Sequence, residues 1–340
     1  MKRKDILDRL GFTVPELKKK RVIIHSDIKC EADDPFAIMH HLLTPSIDVK
    51  GIIAGHFESS ARMIEAYTQT HELTQEQIAA GSDFVLPRGK SMEASYQEGK
   101  KILELAGIDD VPLLRGSALE ISDVNQLPAS EGADFMIKEA LRDDDKPLYI
   151  ALMGCLTDLA IAYLKEPAIA DRLTAIWIGG GEYPSGEDEF NIKQDLEAAR
   201  IVFASPIKIW QIPKKTYRTM EVSLAELVRH VRPCGAIGRY LCEQMLAFND
   251  KMGRTPLTAH NSFPHGESWV VGDNPTLTVL MQNSEWVTWH TEKAPFINDD
   301  ATYAPNPDGK LIRVYDMINT RMSFGDLFAK LDLCYRGENR

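Results

Sequence analysis

Residues 21–43, RVIIHSDIKCEADDPFAIMHHLL, constrain the fold more than any other stretch of the chain. The β-branched run Val22-Ile23-Ile24 reads as a buried strand, and acid follows at once at Asp27, Glu31, Asp33 and Asp34. Pro35 stands where a helix would begin, and Phe36, Ile38, Met39, Leu42 and Leu43 recur at helical spacing. Strand, acidic loop and helix in that order place several carboxylates at the carboxyl end of a strand, where open α/β sheets bind ligands. The simpler reading is helix capping and dipole complementarity, which Asp33 and Asp34 would serve. Capping uses one or two acids, however. Four within eight residues repel one another unless a cation or substrate offsets them, which favours a site for a hard metal ion.

The rest of the chain repeats the alternation. Strands are expected at 49–54, 112–116, 147–153, 173–178 and 207–212, and helices at 88–110, 133–142, from 159 onward and at 197–203. Residues 59–73 have helical periodicity, 80–85 read as strand or loop, and 117–130 as loop. Beyond these, 222–252 look helical, a polar loop runs to Trp269, and 274–281 form a helix. Paired strands at 285–290 and 310–315 and a helix at 324–331 close the chain. Alternating strand and helix implies an α/β fold with a mostly parallel sheet covered on both faces. With no Gly-, Ser- or Pro-rich linker and no repeat, one domain over 1–340 is expected, its core at 21–331 after a polar, helical lead-in at 1–20.

The net charge of -11 argues against a nucleic-acid partner, since phosphate backbones want excess Lys and Arg. No apolar run approaches membrane-spanning length, and the basic amino terminus lacks the apolar core and small-residue cleavage site of a signal peptide. The five cysteines are scattered without a CxxC pair, as expected of reduced thiols in a cytoplasmic protein. Cys30 lies among acids, which raise a thiol's pKa and disfavour it as a nucleophile.

Several expected strands run into polar loops: Asp27 to Asp34, His56, Thr157 with Asp158, and Gly179-Gly180-Gly181 followed by Glu189 and Asn191. Asp273 precedes a late helix. In a parallel sheet such loops meet at one edge and can share a pocket. The glycine triplet lacks the following Lys-Ser or Lys-Thr of a phosphate loop, so its glycines read as a sharp turn past a ligand.

Four motifs, in order, resemble the nucleoside hydrolase family of the inosine–uridine-preferring type. They are Asp27 with Asp33-Asp34, ALMGCLTDLA at 151–160, GGG with EFNIxxDxEAA at 179–199, and GDNP at 272–275. The resemblance implies a single Rossmann-like α/β domain and a calcium-dependent hydrolase of the N-glycosidic bonds of ribonucleosides. By position, Asp27, Asp34, the backbone carbonyl of Thr157 and Asp273 would hold Ca²⁺, all oxygen donors as a hard cation requires. Asp27 would be the general base for a water held by the ion, Asp33 would bond a ribose hydroxyl, and Glu189 and Asn191 would face the 5′ side of the sugar. A homodimer or homotetramer is also implied.

The chain departs from the pattern in three places. Its first loop is two residues longer, so Glu31 is a further candidate for binding. Gly272 stands where a leaving-group His is usual. His56 and Tyr183 replace asparagines expected near the sugar and remain candidates for substrate binding. A leaving-group acid would then come from His56, His260, His265 or Glu267, of which His260 and His265 lie in the loop just ahead of Asp273. Trp269 and Phe57 would either stack on a base or pack in the core. The alternatives are the same metal cage acting on a modified nucleoside or another glycoside, and a non-catalytic calcium- or ribosyl-binding protein. A metal phosphohydrolase is disfavoured because no basic cluster is evident near the acids.

Overall fold

The strands are the frame on which the site is built, and their own sequences explain their depth. The computed structural model of the protein describes residues 1–58, 86–254, 266–282 and 287–337. The expectations at 59–73 and 80–85, together with His260 and His265, fall outside those residues. In β1 (Lys20–Ser26) every residue after Lys20 is buried, the near-continuous pattern of a strand covered on both faces. Its side chains alternate between two cores: Val22 and Ile24 face one layer and Ile23 the other. β4 (Leu148–Met153) and β5 (Leu173–Ile178) divide in the same way.

With β2 (Ile47–Ala54), β3 (Leu113–Arg115), β6 (Lys208–Ile212), β9 (Thr288–Lys293) and β12 (Leu311–Met317), these strands form an eight-stranded sheet ordered β3-β2-β1-β4-β5-β6-β12-β9. Every neighbouring pair is parallel except β12 with β9. The fold is therefore the expected single α/β domain with a mostly parallel sheet. The chain runs outward from β1 to β3, then returns to build β4 beside β1. The reversal opens a crevice at the carboxyl ends of those two strands, the favoured ligand position in open sheets.

Among the described helices, α1 (Arg3–Leu7), α2 (Asp34–Leu42), α3 (Ser91–Ala106), α9 (Gly235–Arg254), α10 (Pro275–Met281) and α11 (Thr320–Tyr335) lie on the first layer. The second layer holds α4 (Glu131–Ala140), α5 (Thr157–Lys165) and α7 (Leu196–Ala204). Two short helices, α6 (Phe190–Gln194) and α8 (Lys214–Tyr217), sit at the strand ends and shape the site.

The lead-in does more than its polarity suggests. It buries Ile6 and Leu10, and Arg3 donates to the carbonyls of Leu42, His41 and Thr44 at the end of α2. The stretch expected to be helical from 222 to 252 is broken instead. Glu221–Ser223 is a strand, β7, paired antiparallel with β8 (Ser268–Val270), and α9 starts only after Pro233, which cannot sit in a helix interior. No helix among the described residues is long and apolar enough to cross a membrane.

Candidate active site

Each acid of the site is delivered by a strand end or a helix start. Asp27 follows β1, and its carbonyl accepts from Cys30 N at 2.7 Å, turning the loop back over the sheet. Asp33 stands at the N-cap of α2, but its side chain makes no capping bond there. Its Oδ2 accepts from Gly272 N at 2.8 Å instead, tying the first loop to the last motif. Asp34 opens α2, and its Oδ1 accepts from the Ser26 hydroxyl. Asp273 lies just before α10 and meets Asp34 side chain to side chain. Carboxylate oxygens of Asp33, Asp34 and Asp273 all lie within 4.8 Å of one another. Capping therefore does not explain this cluster.

Its electrostatics are those of acids crowded in a dry place. Burial first, then the charges of the neighbouring acids, push Asp27, Asp33 and Asp273 well above the usual carboxylate range. Burial pushes Asp34 up to about 6, although the Ser26 hydroxyl works the other way. Glu31, at the edge of the cluster, is pushed up to about 7 by burial and by Asp34, with Arg218 opposing. Asp27 Oδ2 is buried without a hydrogen-bond partner. An orphaned buried carboxylate oxygen beside three others fits a hard cation, which relieves the repulsion and satisfies the orphan together.

Asp27, Glu31, Asp33, Asp34 and Asp273 share a cavity of ≈ 270 Å³ with Glu189 and Asn191, room for one small molecule. Glu189 is held from three sides. Oε2 accepts from Gly180 N at 2.7 Å and Ile192 N at 3.0 Å, and Oε1 accepts from Tyr217 OH at 2.8 Å. Gly180 is left-handed (φ 72°), the conformation a glycine adopts without strain, and this aims its N–H at the carboxylate. Asn191 donates to Ile178 O at 3.0 Å.

Other expected site residues are turned elsewhere. The Thr157 hydroxyl donates to Asp195 Oδ2 and meets His56 Nε2, both at 2.8 Å, and its carbonyl lies in the first turn of α5. The main chain that approaches Asp27 is that of Gly154, where a Cβ would stand 2.9 Å from Asp27 Oδ1. His56 is fully buried behind the cavity, and burial pushes it down to about 4, so it is neutral and does not line the pocket. Tyr183 donates to Gln211 Oε1 at 3.1 Å, packs on Tyr303 and is likewise absent from the lining. Phe57 is buried outside the cavity; Trp269 is 1% exposed and meets Phe248 edge-on, a core contact, although its edge lines the pocket. Glu267 is exposed.

Sequence reasoning passed over one wall of the pocket. Tyr217, Lys214 and Arg218 come from α8 and the residue after it, and Lys193 from α6. The Tyr217 ring occupies the space beside Gly272, where a Cβ would lie 3.1 Å from Tyr217 Cδ2. The signal was present, since 213–218 follow the parallel strand β6, but that loop carries no acid to draw attention.

A switch-point crevice lined with clustered acids gives an α/β protein a place for a small ligand and for a cation. The match to the inosine–uridine-preferring nucleoside hydrolase family model covers residues 22–306. The chain belongs to that family, whose members are metal-dependent, and it is a glycosidase acting on N-glycosyl compounds. It is similar to the pyrimidine-specific ribonucleoside hydrolase RihB of Escherichia coli (strain SE11), 27% identical over 232 residues, covering 65% of this chain and 69% of that one. Its fold matches that of a purine-preferring ribonucleoside hydrolase from Gardnerella vaginalis, with TM-score 0.67, 16% identity and coverage of 93% and 99% of the two chains. It also matches the type III effector protein XopQ complexed with adenosine diphosphate ribose, with TM-score 0.64, 13% identity and 97% of each chain covered.

Proposed function

We propose that the protein is a calcium-dependent hydrolase of the N-glycosidic bond of ribonucleosides. The observation that carries this reading is the partnerless buried oxygen of Asp27 beside the Asp33–Asp34–Asp273 cluster, inside a cavity of one-sugar size. Asp27, Asp34 and Asp273 would hold the ion, with the backbone carbonyl of Thr157 at the start of α5 as the main-chain ligand. Calcium, when bound, supplies positive charge that acidifies water and orients the ribose hydroxyls.

The side chains divide the remaining work. Asp27, whose Oδ2 has no partner within the protein, accepts the proton of the attacking water. Asp33 keeps Oδ1 for a ribose hydroxyl while Gly272 N holds Oδ2. Positive charge builds on the ribosyl ring as the C–N bond breaks, and the surrounding carboxylates stabilise it. Glu189 and Asn191 face the 5′ side of the sugar. His260 or His265 protonates the departing base; His56 is excluded by its burial and its contact with Thr157. The working form is a homo-oligomer in the cytosol. The location is supported by the five cysteines, all buried and none in a disulfide.

A second reading, the same chemistry on a modified nucleoside, has one observation behind it. The position usual for a leaving-group His is Gly272, and Tyr217 packs against it. A reducing-sugar assay over purine, pyrimidine and modified ribosides, with and without chelator, separates the two. Release from a common nucleoside that stops on chelation and in Asp27→Ala supports the first. Release from modified ribosides alone supports the second, and calcium binding without release from any riboside refutes both.

A further inference from the structure

The acids of the pocket are balanced from one side only. Among the described lining residues the cations are Lys193, Lys214 and Arg218, and they share the cavity wall with Glu189 and Tyr217. Lys193 is four residues beyond Glu189, one turn along α6. Lys214 donates its N–H to Gly180 O at 3.0 Å, and Gly180 N in turn bonds Glu189. Arg218 N donates to Lys214 O at 3.0 Å, so the two side chains leave α8 one turn apart on the same face. Between them Tyr217 bonds Glu189. The backbone thus brings the segments that carry the three cations to the wall of the cavity that holds Glu189, the carboxylate that the ribosyl reading puts at the 5′ side.

Two of the three pair with carboxylates at the rim. Lys193 pairs with Asp188 at 2.7 Å, and that carboxylate is 71% exposed. Lys214 pairs with Glu187 at 2.8 Å, itself 40% exposed. Arg218 lines the same cavity. Exposed pairs of this kind contribute little net stability and exchange readily for a better anion. A neutral nucleoside gives three such cations nothing to bind. A doubly charged phosphoryl group on the 5′ oxygen gives them charge-assisted hydrogen bonds that carboxylates at the rim do not match.

We propose that this pocket takes a ribosyl group phosphorylated at its 5′ oxygen, with Lys193, Lys214 and Arg218 as the phosphate subsite. The inference rests on the ribosyl reading of the site, so the test measures binding as well as turnover. Isothermal titration with calcium present compares ribose, ribose 5-phosphate and inorganic phosphate on the full-length protein. Ribose 5-phosphate is expected to bind at least about tenfold tighter than either of the others, with an affinity that falls as salt is raised. In Lys214→Met/Arg218→Met its advantage over ribose should collapse toward one. Lys193→Met is the second variant if the double variant fails to fold. Equal affinity for ribose and ribose 5-phosphate overturns the inference, as does phosphate alone binding as tightly as the sugar phosphate. If ribosides are cleaved while ribose 5-phosphate has no advantage, only this inference falls. If no riboside is cleaved and neither sugar binds, the ribosyl reading falls with it.

Discussion

Asp27 is costly to the fold, and the proposed reaction gives that cost a use. Its second oxygen is buried with no partner, and the acids around it keep its carboxyl well above the ordinary range. Asp27→Asn should therefore raise the melting temperature of the calcium-free protein by a few degrees, because it removes a repelled charge. The same change should lower riboside hydrolysis by roughly 10²–10⁴-fold, the usual worth of a general base. Differential scanning calorimetry in chelator, beside the sugar-release assay, checks both signs. A second prediction concerns His41, far along α2 and fully buried, with Nδ1 on Ala37 O at 2.8 Å. Burial pushes it down to about 3. A histidine whose folded pKa lies below its unfolded value stabilises the fold fully above the unfolded pKa. That stability is lost as pH falls from about 6.5 toward 3, the window in which only the unfolded chain takes up the proton. Between pH 7 and pH 5 the loss from this group is about 2 kcal/mol. In His41→Phe that part of the acid sensitivity should vanish, as measured by urea denaturation at the two pH values.

At the scale of elements, the site depends on how neighbouring strand ends are pinned. Trp177, near the end of β5, is fully buried, stands edge-on to Phe203 and donates Nε1 to Gly154 O at 2.9 Å. Gly154 in turn abuts Asp27. Trp177→Phe should cost about 1–3 kcal/mol by stranding a buried carbonyl, and should weaken calcium binding by releasing the β4 turn. Urea melts and a calcium titration measure the two effects. The elements themselves were mostly legible in the sequence. β5 was readable because a strand buried on both faces is a short continuous apolar run bounded by polar turns. The segment from 222 onward was not, because apolar spacing cannot reveal that Glu221–Ser223 pairs with a strand some 45 residues later. In the site, Asp27, Asp33, Asp34 and Asp273 were recognisable by type and place. The placement of His56 was not, since no spacing in the sequence reveals that its ring turns inward to meet the Thr157 hydroxyl. The cations of α8 carried no motif and emerged only when the strand ends were brought together.

For the whole molecule, the proposed calcium site would link the cation to the fold. The acids come from the first strand of the sheet and from a helix more than 200 residues later, and they are packed together only in the native state. A ligand that binds only that state stabilises it by about 2.7 kcal/mol at a hundred times its dissociation constant. For a chain of this size, that corresponds to a rise of roughly 4 °C in melting temperature. Thermal melts with calcium and with chelator test this directly, and identical curves would remove the metal from the account. The separation of the acids along the chain also bears on how the protein is made. Asp273 leaves the ribosome long after Asp27, Asp33 and Asp34, and synthesis at about 5–20 residues per second spaces the two events by more than ten seconds. During that interval the nascent chain carries an acidic loop without the residue that completes it. Capture of the proposed ion would then be a late step of biogenesis, reserved for chains synthesised past residue 273.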